Sequence, residues 1–84
     1  MIFPISTEEF SDLNIKGKKK IFSQFLGHPV NEIVYGAMTN KKYGEYRVRH
    51  EHCAYSNLRI EPSAQGYTRI MIYNFEEHEW QERM

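Results

Sequence analysis

The sequence predicts an α+β fold: a short N-terminal helix, or a kinked helix pair, packed on one face of a three- to four-stranded antiparallel β-meander. Two observations support it. Apolar residues recur at helical spacing up to residue 26, and from residue 30 onward β-branched and aromatic stretches alternate with turn formers. A single domain over residues 1–84 is expected, because a chain this short buries only about 60% of its unfolded surface and cannot support two cores.

A helix-start pattern opens the first half of the chain. In ISTEEF, residues 5–10, Ser6 can cap a helix and Glu9 completes a capping box, so a helix is predicted to begin near Thr7. Gly17 interrupts the helical spacing, which predicts either two short helices or one helix kinked at Gly17, and Gly27 is the predicted stop. The apolar residues of the predicted core-facing stripe are Phe10, Leu13, Ile21, Phe22, Phe25 and Leu26.

Four segments of the second half have the composition of strands. They are VNEIVYGAM (30–38), EYRVRHEHCAY (45–55), LRIE (58–61) and YTRIMIYNF (67–75). The predicted turns between them are TNKKYG, the pair Ser56 and Asn57, and PSAQG. Parallel pairing needs a crossover of about a dozen residues, and these connections are shorter. We therefore expect antiparallel strands that lie side by side in sequence order.

The last residues, EEHEWQERM, predict a short acidic tail that could begin as a helix, since acidic side chains favour a helix N-terminus. Residues 41–73 contain six basic and three acidic residues, whereas residues 74–84 contain one basic and four acidic residues. A basic middle is thus followed by an acidic end. Trp80 is the large apolar residue of the tail. If the tail folded back over the outer face of the sheet with Trp80 as its plug, that surface would be interior and no partner would be implied.

The side chains of the predicted strands alternate between two faces. Ile70 and Ile72 belong toward the helices, and Val48 orients the long strand in the same way, so the intervening residues lie on the outer face. Arginine and tyrosine combine a large contact area with polar ends and are enriched at binding hot spots. The predicted partner-binding residues are Arg47, Arg49, Arg69, Tyr67, Met71 and Tyr73.

The same outer face has two other interpretations. Its arginines can pair with Glu45, Glu51 and Glu61 on neighbouring strands, in which case the rings are half-exposed strand formers and no partner is implied. It could also bind single-stranded nucleic acid, whose bases stack on aromatic rings while cations meet the phosphates. The basic run KGKKK at residues 16–20 would flank such a site. The candidate nucleic-acid residues are Lys18, Lys19, Lys20 and Arg59.

The segment RHEHC, residues 49–53, contains two histidines and the only cysteine. His50 and His52 share a face of the predicted strand and could supply two metal ligands, whereas Cys53 points to the opposite face. No motif supplies the further ligands that a zinc site needs, so ordinary strand histidines are the favoured interpretation and no cofactor is expected. Cys53 has no orienting base on its own face, and no catalytic residue is assigned.

A non-enzymatic accessory or inhibitor-type protein that binds a larger partner is the function this pattern favours. A protein partner is preferred over nucleic acid because the formal net charge is zero and the tail is acidic, while nucleic-acid binders usually have a basic excess. A homodimer through the outer face or a free edge strand is also possible. The sequence has no run of about 18 apolar residues and no signal-peptide pattern, so a cytoplasmic protein without a membrane partner is expected.

Overall fold

Six strands form one antiparallel sheet, and two helices cover one of its faces. The computed structural model describes residues 1–51 and 54–82. Its elements are β1 (Ile2–Ser6), α1 (Thr7–Asp12), α2 (Ile15–Leu26), β2 (Val30–Thr39), β3 (Tyr43–His50), β4 (Ala54–Pro62), β5 (Tyr67–Asn74) and β6 (Glu79–Glu82). The predicted α+β class, helix pair and antiparallel sheet are confirmed. The predicted strand number of three to four is too low.

Both helices begin at a polar cap. Glu9 N–H donates to Ser6 Oγ at 3.0 Å, and Ser6 N–H donates to Glu9 Oε1 at 3.4 Å, so the predicted capping box is present. Gly17 N–H donates to Asn14 Oδ1 at 2.8 Å, which caps α2. The predicted kink at Gly17 is wrong. The helices separate at Leu13, whose backbone is extended, and Gly17 lies in the first turn of α2.

The sheet has the order β1-β5-β4-β3-β2, with β6 also paired to β5. Strands β2 to β5 form the predicted meander in sequence order. Met71 and Ile72 pair with both β4 and β6, so β6 lies on the same edge of β5 as β1. The predicted acidic tail is therefore wrong over residues 79–82, because they form a strand after a turn at residues 75–78.

The chain reverses between His50 and Ala54, which are paired with each other. The sequence predicted one strand over residues 45–55 and a turn at Ser56 and Asn57. That prediction is wrong, because both residues lie within β4. Each finds a polar partner across the ladder: Ser56 Oγ lies 2.9 Å from His50 Nε2, and Asn57 Oδ1 accepts a hydrogen bond from Arg47 at 3.2 Å. Cross-strand bonds thus replace the turn that these residues usually favour.

The core lies between the helices and the sheet face that they cover. The Phe22 ring contacts Phe10 with centroids 5.6 Å apart and Tyr46 with centroids 5.4 Å apart. Leu13 is only partly buried against this core. Because alternate strand residues turn inward to it, the remaining side chains form the outer face of the sheet. The buried core members are Phe10, Phe22, Phe25, Leu26, Val30, Tyr46, Val48, Leu58, Ile60 and Ile70.

Candidate functional site

The outer face is the side of the sheet turned away from the helices, and the strand register assigns its residues. Val48 and Leu58 are fully buried on the opposite side, so their neighbours along each strand point outward. The register then extends this assignment to the strands on either side. The outer face comprises Glu32, Tyr35, Ala37, Glu45, Arg47, Arg49, Tyr55, Asn57, Arg59, Glu61, Tyr67, Arg69, Met71, Tyr73, Trp80 and Glu82.

Three outer-face arginines form ion pairs with glutamates on neighbouring strands. Arg49 Nη2 lies 3.1 Å from Glu32 Oε2, and Arg59 Nη2 lies 2.9 Å from Glu45 Oε1. Arg69 lies between two carboxylates, 3.3 Å from one on β4 and in contact with one on β6. Ion pairing between arginines and glutamates on neighbouring strands was one of the interpretations open from the sequence. Arg49, Arg59 and Arg69 are paired in this way. Their charge is largely balanced before any partner arrives.

Arg47 differs from these three arginines. Its Nη1 donates to Asn57 Oδ1 at 3.2 Å, and its guanidinium carbon lies 4.7 Å from the centroid of the Tyr55 ring. Within residues 1–51 and 54–82 it forms no ion pair with a carboxylate. Tyr35 is its direct neighbour on β2. The centre of the outer face therefore has one arginine whose positive charge has no acidic partner in the described chain.

A cluster of aromatic rings lies at the β6 side of the outer face. The Tyr73 ring contacts Phe75 and Trp80 edge-on, with centroids 4.9 and 5.2 Å away. Trp80 also stacks on the Arg59 guanidinium, with 4.3 Å between the guanidinium carbon and the ring centroid. Trp80 thus covers part of the predicted binding surface, as the tail-as-plug interpretation expected, but it does so from an added edge strand and leaves the Arg47 region open.

A small pocket lies between Tyr35 and Trp80, and one of its lining residues is Asn57, the hydrogen-bond partner of Arg47. Its volume is about 140 Å³. Tyr35, with 62% of its surface exposed, stands at its β2 side. Sequence analysis missed this pocket, although Tyr35 would have been found by extending the register from Arg47 to the preceding strand. The residues that line the pocket are Tyr35, Glu45, Tyr46, Asn57 and Trp80.

The six predicted partner-binding residues do not form one cluster. Arg47 and Arg49 lie on β3, whereas the other four lie on β5, with β4 between them. Tyr67 is 46% exposed at the start of β5, beside the turn that follows β4. Met71 lies between Arg59 and the end of β6 and is half-buried. The structure brings Arg47 close to the pocket and leaves Tyr67 at the margin.

The candidate nucleic-acid residues lie on opposite layers of the molecule. Lys18, Lys19 and Lys20 belong to α2, on the helix-covered side, and Arg59 belongs to the outer face. Lys18 Nζ is also engaged, because it donates to the backbone oxygens of Ser11 at 3.0 Å and Leu13 at 2.7 Å. Lys18 therefore supports the end of α1, and the three lysines do not extend the arginine surface.

His50 has a local partner for its ring. Its Nε2 lies 2.9 Å from Ser56 Oγ, and the His28 ring stacks beside it with centroids 4.5 Å apart. Burial lowers the pKa of His50, and the nearby His28 adds to the shift. His52 and Cys53 lie outside the described residues. Within the described ranges no group of three or more His, Cys, Asp or Glu side chains is arranged to hold a metal ion.

The fold and the outer face define a small α+β domain with a shallow pocket on an open sheet face. Neither of the helices in the described chain is long and apolar enough to cross a membrane. No protein family, curated protein or solved structure matches this chain. Any indication of function therefore comes from the physical character of the fold and its surface.

Proposed function

We propose that this protein is a non-enzymatic accessory or inhibitor-type protein that binds a larger protein through its outer sheet face. The observation behind the proposal is the pocket between Tyr35 and Trp80, next to Arg47, which has no carboxylate partner among the described residues. Large rings around a pocket are typical of interface hot spots, where a few aromatic and arginine side chains provide most of the binding energy. A cytoplasmic location and the option of a homodimer accompany this proposal as predictions from the sequence.

A protein partner fits the charge distribution of the outer face. Arg49, Arg59 and Arg69 already have carboxylate partners, so their charges are not free to neutralise a run of phosphates. The lysine-rich helix lies on the other layer. Nucleic-acid affinity depends mainly on the number of phosphates that cations neutralise, and this surface offers few. A mixed polar and aromatic protein surface is the better complement.

Capture of the partner followed by calorimetry with purified proteins tests the proposal. Tyr35→Ala removes the exposed pocket wall, and we expect it to weaken binding at least about tenfold. Gln24→Ala is the control, because Gln24 is exposed on α2, away from Tyr35. Equal dissociation constants for Tyr35→Ala and wild-type protein would show that the outer face is not the binding surface. Salt-sensitive binding of a labelled decathymidine would instead indicate that the partner is a nucleic acid.

A further inference from the structure

We infer that the outer face recognises an extended acidic segment of its partner, in which a carboxylate binds Arg47 and an adjacent bulky apolar side chain enters the pocket between Tyr35 and Trp80. The inference rests on the proposed function and specifies the chemistry of the partner. It follows from three features of the described residues: the donors left open on Arg47, the size of the pocket, and the position of Glu45.

Arg47 has unused hydrogen-bonding capacity. A guanidinium group has five N–H donors, and the described contacts use one of them, for Asn57. Any interface that covered this group without a counter-charge would leave a buried, unpaired cation, which strongly weakens binding. A carboxylate can accept two parallel N–H bonds from a guanidinium. Charge complementarity therefore selects an acidic side chain opposite Arg47.

The pocket has room for an apolar neighbour of that acid. Its volume of about 140 Å³ is close to the ~150 Å³ of a protein cavity that holds one benzene molecule. Tyr35 and Trp80 provide apolar walls on either side. Asn57 lines the pocket and also accepts the Arg47 hydrogen bond, so the cation and the pocket are adjacent. One or two residues of extended chain span that separation, since a strand rises about 3.3 Å per residue.

Glu45 determines which group enters the pocket. Glu45 lines the pocket, and its carboxylate is held by Arg59, whose Nε and Nη2 donate to Glu45 Oε1 at 3.3 and 2.9 Å. Because Arg59 already has this carboxylate partner, an acid gains less beside the pocket than at Arg47, and an apolar side chain is the better occupant of the pocket. The carboxylate of the partner is therefore expected to bind Arg47, and its bulky apolar side chain is expected to enter the pocket.

Titration of the labelled protein with short blocked peptides, followed by amide and side-chain NMR shifts, tests this inference. The probe peptide is Gly-Glu-Phe-Glu-Gly. We expect saturable shifts at Tyr35, at the Arg47 Nε–H and at the Trp80 indole N–H. Replacing both glutamates by glutamine, or the phenylalanine by serine, should weaken binding at least about fivefold. Arg47→Gln should remove the preference for glutamate over glutamine while the phenylalanine still binds.

Arg49→Gln is the matched control, because Arg49 lies on the same strand and is already paired with Glu32. It should leave the glutamate preference intact. Equal affinity for the glutamate and glutamine peptides would overturn the inference, as would shifts confined to the α2 lysines. Self-association that disappears in Phe75→Ser would also overturn it, since a second copy would then supply the ring. If Tyr35→Ala weakens the natural partner but the peptides show no charge preference, only this inference fails and the proposed function stands.

Discussion

The imidazoles of His28 and His50 pack against each other where β2 begins and β3 ends. Their ring centroids are 4.5 Å apart, and His28 Nδ1 is a buried atom without a hydrogen-bond partner in the described structure. Burial disfavours the charged form of His50 and lowers its pKa below the ordinary 6.5, with His28 adding to the shift and Glu51 opposing it. The folded protein therefore prefers His50 neutral.

The free energy of unfolding should fall as the pH drops below about 6.5, toward pH 5. A histidine with a depressed folded pKa contributes its full stability above the unfolded pKa, and that contribution is lost as the pH falls through the folded value. Urea unfolding at a series of pH values measures this. His50→Gln should flatten the dependence, and His78→Asn, at an exposed turn, should not. If the free energy of unfolding depended on pH equally in the wild type and in His50→Gln, the dependence could not be due to His50.

The arginines show which features of a residue could be predicted from the sequence: the face of the sheet on which it lies, but only some of its ion-pair partners. Strand alternation correctly placed Arg47, Arg49 and Arg69 on the outer face. Glu45 and Glu61 could also be named as available partners, because their strands were predicted. Glu32 could not, because a register shift between Ile33 and Tyr35 places it opposite Arg49. Glu82 could not, because its strand β6 was not predicted. Sidedness is a local property, whereas pairing is a tertiary one.

Among the elements, β2 depends on one glycine. Gly36 has a φ of 145°, and a Cβ there would overlap the Tyr46 ring and the Glu45 carbonyl oxygen. We expect Gly36→Ala to lower the free energy of unfolding by about 2–4 kcal/mol. Gly27→Ala is the comparison, because Gly27 ends α2 with a φ of 79° but has open space around a Cβ. This substitution should lower the free energy of unfolding by about 1 kcal/mol. Equal losses in denaturant titrations would show that the close approach at β2 is unimportant.

Helix α2 depends on its N-cap. Asn14 Oδ1 accepts the Gly17 N–H, and the first turn of α2 contains no acidic residue. Asn14→Ala should cost about 1 kcal/mol of unfolding free energy. Asn14→Asp keeps the acceptor and adds a negative charge where the helix dipole favours one, so it should be at least as stable as wild type. Thermal unfolding of the three proteins checks this, and an equal loss in both variants would count against the cap.

Long-range pairing explains the elements that were not predicted. Strand β1 is five residues long and contains Pro4, and β6 has four residues, two of them acidic. Neither has a strand pattern of its own, and both are held by pairing with β5. The reversal after His50 was missed because RHEHC contains no Gly, Pro, Asn or Asp. The capping box at Ser6 was predicted correctly because its two partners are only three residues apart.

At the scale of the whole molecule, Trp80 reports whether β6 unfolds with the rest of the protein. It is the only tryptophan, and it contacts both Tyr73 and Arg59. Because β5 lies between β4 and β6, we expect a single cooperative transition. Tryptophan emission and far-UV circular dichroism should then give the same denaturant midpoint in one titration. An earlier change in emission would mean that β6 detaches first.

The pocket also belongs to this scale. Its walls come from β2, β3, β4 and β6, and these strands span residues 30–82 of the chain. No sequence window contains more than a part of it. The sheet, its outer face and the position of Arg47 on that face could therefore be predicted from the sequence. The pocket could not, because one of its walls is Trp80 on β6, a strand that was not predicted.

The common edge of β5 brings the two ends of the chain into line. Glu82 pairs with Met71 and Ile2 pairs with Arg69, and both end strands run antiparallel to β5. Together they cover one edge of β5, and between the two paired segments Ile70 N–H donates to the Met1 carbonyl oxygen at 3.1 Å. Because β1 and β6 share this edge, a substitution that loosens either strand leaves part of β5 without a neighbour on that side.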